Sequence, residues 1–257
     1  MSNLLKAEFF KLKKSVAFRT CLVVFFCSDI MYLIILSLAN ELIGIDITGY
    51  AQFTNLMNNF CGSTVSGMLF GFLAAALITS DYKTGDIQCA IAQGYSRAQL
   101  LISKIIMYMT AVAILALEDV LVYTVGGTIA GGFGVKLTGD VFLYLLRSVV
   151  LEGFVLAMMY TTCIFLAFLF TSKAASVTIN LLIFFVIDMG VGIMPMLIEK
   201  EWLDKLISYL PYKSVAEMSL KQLDWSHAGI SLAFAAFYGI CMIAASWIVF
   251  RKKDMNR

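Results

Sequence analysis

Residues 105–131 read IIMYMTAVAILALEDVLVYTVGGTIAG. This run holds no lysine or arginine, carries carboxylates only at Glu118 and Asp119, and exceeds the roughly 20 apolar residues that an α-helix needs to cross a bilayer. Working outward, runs of the same kind occupy about 17–39, 61–80, 148–171, 174–197 and 228–250. Across all 257 residues hydrophobic side chains make up 61% and charged ones 14%, and the mean hydropathy is +0.88. Soluble domains use roughly half apolar and a quarter charged residues, so this balance excludes them. The expected fold is an all-α polytopic membrane protein with six transmembrane helices. Six spans and their connections use residues 1–257 as a single transmembrane domain, and any catalytic engine then belongs to another polypeptide.

Six spans place both termini on one side, and the distribution of basic residues chooses it. Lys6, Lys11, Lys13, Lys14, Arg19, Lys83, Arg97, Lys104, Lys173, Arg251, Lys252, Lys253 and Arg257 fall on one face, against Lys136, Arg147, Lys200, Lys205, Lys213 and Lys221 on the other. That excess predicts cytoplasmic ends. The connection 40–60, with Glu41 and Asp46 but no lysine or arginine, agrees with an outer placement. The net charge of +2 thus carries topology, and no nucleic-acid partner is indicated.

Ahead of the first span, Leu5, Phe9, Leu12 and Val16 recur at helical spacing while Lys6, Lys13 and Lys14 take the other side. The pattern predicts an amphipathic helix over 1–16 lying at the membrane interface, with Lys6, Phe9, Lys13 and Lys14 as lipid anchors. It also argues against a signal peptide cleaved after Ala39, because the following apolar run is longer than a usual signal core.

Several chemistries drop out. The six cysteines show no C-x-x-C pair and His227 is the single histidine, so no metal site is expected. The phosphate-cradling pattern G-x-x-x-x-G-K-[ST] is absent, so this chain is not expected to hydrolyse ATP itself.

Between spans two and three, residues 81–104 hold Asp81-Tyr82-Lys83-Thr84-Gly85-Asp86-Ile87, Gly94-Tyr95-Ser96-Arg97 and Ser103-Lys104. A short helix starting near Asp86 exposes Gln88, Gln93, Arg97 and Gln99, with Gly85 and Gly94 allowing the flanking turns. This segment, the opening Leu4-Leu5-Lys6-Ala7-Glu8-Phe9-Phe10-Lys11-Leu12-Lys13-Lys14 and the ending Phe250-Arg251-Lys252-Lys253-Asp254 resemble type-2 ATP-binding-cassette (ABC) exporter permeases. The likeness departs from the family pattern where Asp81 replaces the usual leading Glu and Gly85-Asp86-Ile87 the usual Thr-Ile/Leu-Arg run.

The resemblance implies that 81–104 is a cytoplasmic coupling loop docking on a separate ABC ATPase subunit through Asp81, Tyr82, Asp86, Gln93, Gly94, Ser96 and Arg97. It also implies a second permease copy or paralogue, with ATP and Mg bound by the ATPase and no cofactor on this chain. Its short six-span members serve bacteriocin immunity, antibiotic resistance or export of amphipathic toxins such as phenol-soluble modulins, so a small amphipathic peptide is the expected substrate and the bacterial plasma membrane the expected location.

Three further features bear on transport. Ser63, Gly67, Gly71, Ala75 and Thr79 form a small-residue stripe along span two, suited to close helix packing within the chain or between two permeases. Asp29, Glu118, Asp119, Glu152 and Asp188 fall in or near spans, with Arg147 as the nearby base, and are expected either to line a substrate pathway or to be protonated carboxyls bonded to neighbouring helices. At 1.5 Å per residue Glu118 lies about 20 Å beyond Lys104 and Asp188 about 22 Å beyond Lys173, in the outer half of the bilayer; an Arg147–Glu152 pair is one way to compensate charge. Gly126, Gly127, Gly131, Gly132 and Gly134 are expected to loosen the outer end of span three, and Gly190, Gly192 and Pro195 to interrupt span five. In the outer connection 198–227, Leu203, Leu206, Ile207 and Leu210 predict a short amphipathic helix. The competing function class is an ion-coupled secondary transporter or channel using the buried acids, and a drug or lipid is the competing cargo.

Overall fold

The structure is a computed structural model that describes residues 1–44, 46–59, 64–170, 172–197 and 200–252. Every regular element among them is helical. In chain order these are α1 (Ser2–Lys14), α2 (Val16–Ile43), α3 (Gly49–Asn59) and α4 (Thr64–Ala74), then a π-helical turn Ala75–Thr79 and α5 (Ser80–Thr84). They continue as α6 (Asp86–Ala92), α7 (Arg97–Gly131), α8 (Gly139–Met159), α9 (Thr161–Leu169), α10 (Lys173–Leu197), α11 (Glu201–Tyr209), α12 (Pro211–Met218) and α13 (Trp225–Lys252).

Among the described residues, five helical rods are long and apolar enough to cross a membrane: Val16–Asn40, Arg97–Gly131, Gly139–Leu169, Lys173–Val191 and Trp225–Lys252. A shorter apolar helix, Ser66–Tyr82, occupies the remaining expected span. The protein is therefore an all-α polytopic membrane protein.

Local chemistry explains where the rods depart from the apolar runs. Ser96 accepts a hydrogen bond from the Gln99 amide (3.2 Å) while Gln99 Oε1 accepts one from the Ser96 amide (3.0 Å). This reciprocal cap starts α7 about two turns before the apolar run begins, so Lys104 sits inside a helix. Thr138 caps α8, starting that rod at Gly139 rather than near 148. The connection 40–60 contains α3, whose first amides donate to the Gly132 (3.0 Å) and Phe133 (3.1 Å) carbonyls at the end of α7.

Two expected helix breaks are not observed. α7 stays helical to Gly131, and a Cβ placed on Gly127 or Gly131 would lie 2.8 Å from Gln52 Cγ or 2.9 Å from Ile47 Cγ1. These glycines admit the chain leading into α3 and do not loosen the rod. α10 likewise runs through Gly190, Gly192 and Pro195 to Leu197. Between α10 and α13, α11 covers the expected amphipathic segment.

Phe70, Tyr108, Tyr160 and Phe184 form the fully buried centre, with the Phe70 and Tyr160 rings 4.4 Å apart and Tyr108 donating to the Phe70 carbonyl at 3.1 Å. The small-residue stripe of α4 is consumed inside the chain, against α10. A Cβ on Gly67 would lie 2.6 Å from Phe184 Cγ, and one on Gly71 2.7 Å from Asn180 Cβ. Ala75 and Thr79 are buried, and Ser63 lies outside the described residues. Close backbone approach is the physical use of such a stripe. Gly71→Leu should therefore destabilise the fold by about 1–3 kcal/mol through overpacking, while Gly153→Leu, where a Cβ meets nothing within 4 Å, should not. Unfolding of the detergent-solubilised variants measures the difference.

Candidate functional site

At the end of the bundle that carries α1, three separate parts of the chain meet through charge. Lys104 of α7 is 3% exposed and donates to Glu8 Oε2 of α1 at 2.7 Å and to the carboxylate of Asp81 in α5. Lys11, one turn along α1 from Glu8, reaches Asp86 Oδ2 at 2.5 Å and Asp81 Oδ1 at 3.6 Å. Two ammonium groups thus bridge three carboxylates across a cavity of about 400 Å³ between α1, α5, α6 and α7. Asp81 reaches this point after the π-helical turn, in which Thr79 Oγ1 donates to the Ala75 carbonyl at 2.5 Å. One extra residue in that turn shifts the register of the residues after it.

Glu8 and Asp81 are 3% and 5% exposed, so the Lys104 contacts form away from solvent, whereas Lys11 and Asp86 lie near the rim. The Lys11 hydrogen bond holds the Asp86 carboxyl below its usual range, outweighing the upward push of burial. A depressed carboxyl contributes stability above its unfolded pKa, and that contribution is lost as pH falls through its folded value.

α1 packs on the rest of the protein along one stripe. Leu4, Glu8 and Leu12 are buried, with Glu8 on the inward face, while Lys6, Phe9, Lys13 and Lys14 point outward together with Phe10. Lys14 Nζ lies 5.3 Å from the Phe10 ring centroid. Of the expected docking residues, Asp81 is committed to Lys104, Tyr82 is half-buried against the core, and Asp86 is paired with Lys11. Ser96 is spent on the α7 cap, and Arg97 Nη1 donates to the Arg251 carbonyl at the end of α13 at 2.6 Å. Gln93 and Gly94 are exposed, with Gln88, Cys89 and Ala92 beside them. Gly85 and Gly94 both adopt left-handed backbone, with φ of 74° and 89°, which makes the turns on either side of α6. The ion pairing of Glu8, Lys11 and Lys104 went unrecognised from sequence. The available signal was Glu8, an acid at i+4 from Leu4 and i−4 from Leu12 in an otherwise basic helix.

Farther along the rods, Asp29 of α2 meets Glu118 and Asp119 of α7, each offering a carboxylate oxygen within 4.8 Å of the others. Carboxylates at that spacing repel one another unless protons or a cation lie between them. Glu152 stands apart, against the wall of a separate α7–α8 cavity, and Asp188 lies on α10 outside the trio. The Arg147–Glu152 pair does not form. Arg147 donates instead to the Leu220 carbonyl and sits 5.6 Å from the Tyr144 ring centroid.

Removing one partner from a buried ion pair strands a charge, at a cost of about 3–5 kcal/mol, whereas exposed pairs are worth about 0–1 kcal/mol. Lys104→Met should therefore lower unfolding stability far more than Lys11→Met, read by denaturation in mixed micelles. Acidification through the titration of Asp86 should loosen α1 from α6, read as a widening spin-label distance between them, and Asp86→Asn should flatten that pH response.

Residues 4–187 match the sequence profile of the family described as ABC-2 family transporter protein. No characterised protein gives a significant match to the chain. The matched region includes α1, the 81–104 segment and the ion network that joins them, and family membership implies an ABC ATPase as partner. The chain belongs to the ABC-2 family of transporter proteins and is an ABC-2 type permease.

Proposed function

We propose that this permease is one half of the membrane domain of an ABC exporter and that α6 is its coupling helix. The observation that carries this reading is mechanical. An exposed surface of Gln88, Cys89, Ala92 and Gln93 sits on a short helix held by Lys11–Asp86 to α1 and, through Asp81, to Lys104 of α7. Force applied by a partner at α6 passes through the rim pair Lys11–Asp86 into α1, and from there through the buried Glu8–Lys104 pair into a rod of 35 residues. The α1 end of the bundle faces the cytosol of a bacterial plasma membrane in this reading, with both termini on that side. Two such permeases, identical or paralogous, dock two ATPase subunits that bind ATP and Mg, and nucleotide-driven closure switches the pathway from inward to outward access. The cargo is a small amphipathic peptide with positive charge, which the membrane-embedded carboxylates Asp29, Glu118, Asp119 and Glu152 complement electrostatically.

One observation favours a second reading. The Asp29–Glu118–Asp119 trio has the spacing of a proton or cation relay, which an ion-coupled transporter would use without an ATPase. The two are separated by isolating the native complex. Ala92→Arg and Gln93→Arg change exposed residues of α6 and should lose the ATPase subunit and ATP-driven peptide efflux while the permease keeps its wild-type melting behaviour. Unchanged ATPase recovery would reject α6 as the docking element, and uptake or efflux by the permease alone in proteoliposomes would reject the exporter.

A further inference from the structure

Between α7 and α8 lies a cavity of about 260 Å³, separate from the ion network and from the carboxylate trio. Its wall is formed by side chains such as Met109, Ala113, Ala116, Val149 and Leu156, all apolar, with one exception. That exception is Glu152, which is 1% exposed and whose two carboxylate oxygens are both buried without a hydrogen-bond partner. Among the described residues lining the cavity there is no base. Gly153, beside Glu152 in the same wall, leaves open space where a Cβ would point.

Depth sharpens the case. Because the rod begins at Gly139, Glu152 lies about 20 Å along a helix of about 46 Å, near mid-membrane and far from either surface. Leu117 and Val150 at the rim of the cavity are 50% and 60% exposed on the outer face of the bundle. A ligand therefore arrives through the acyl-chain region. A charged group at such depth has to be compensated, and an apolar slot with one carboxylate at its wall compensates it with a cation whose own body is apolar.

We propose that the α7–α8 cavity is a binding site for a lipophilic monocation, an ammonium carried on an apolar body, with Glu152 as its counter-charge. The aliphatic or aromatic portion replaces the empty volume beside Gly153, and the ammonium meets the two carboxylate oxygens. An amphipathic cationic peptide presents the same chemistry with a lysine beside apolar side chains, so the site refines the substrate class of the proposed exporter. It nevertheless stands on the cavity alone and is tested without ATPase or transport.

The test is calorimetric titration of the purified permease in lipid nanodiscs with benzyltrimethylammonium and with neopentylbenzene, its neutral isostere. Wild type should bind the cation saturably at one site per chain and at least tenfold more tightly than the isostere. Glu152→Gln should reduce cation affinity at least tenfold without changing that of the isostere. Gly153→Leu, which adds a bulky side chain at the cavity wall and leaves the carboxylate in place, should weaken both. Absence of saturable cation binding to wild type overturns the proposal, as does equal binding by wild type and Glu152→Gln, or tighter binding of the isostere as expected of a slot for an acyl chain. If Glu152→Gln does not fold, Gly153→Leu decides, and unaltered cation affinity in that variant overturns the site. ATPase recovery with either variant reports separately on the exporter reading, because the cavity does not touch α6.

Discussion

The arrangement of this protein turns on one ammonium group taken out of water. Burying a lysine is costly, and the cost is met when opposite charge approaches closely enough with good geometry. Lys104 finds that in Glu8 and Asp81, which come from α1 and from the end of a short apolar helix. Loss of the lysine would strand two buried carboxylates. α1, the 80–92 segment and the start of α7 are consequently bound into one unit, with Lys11 extending the network to the first residue of α6.

Inside the apolar rods the same electrostatics is left unresolved. Asp29, Glu118 and Asp119 gather with no base among them, and Glu152 faces an apolar cavity with both oxygens unpartnered. The contrast is informative. Where charge holds elements together, acids and bases are matched, and where acids stand alone, the protein retains sites whose partner has to come from outside the fold, whether proton, cation or cargo. The aromatic centre of Phe70, Tyr160 and Phe184 links these regions, since the apolar helix Ser66–Tyr82 carries both Phe70 and Asp81 and the rod bearing Tyr160 also carries Glu152.

Much of this was legible in residue order. Long runs free of charge fix a membrane-spanning helix because only a helix pairs all its own backbone groups within one segment of lipid-exposed chain. The turns at Gly85 and Gly94, the short helix between them and the amphipathic character of residues 2–14 also follow from local chemistry. What residue order left out shares a cause. Ser96 also caps a helix, the glycines of α7 expected to loosen its end are contact points for the chain entering α3, and Asp81 is half of a buried pair.

By itself, then, the sequence determined that this chain is a bundle of apolar helices with a polar segment between its second and third apolar runs, because hydropathy and helix period are properties of consecutive residues. Tertiary structure alone decided which charges meet. Glu8, Asp81 and Lys104 are far apart along the chain and gain their meaning from the rotation of α1 about its axis and the register set by the π-helical turn. Rotation and register arise from packing between helices, and no run of neighbouring residues encodes them.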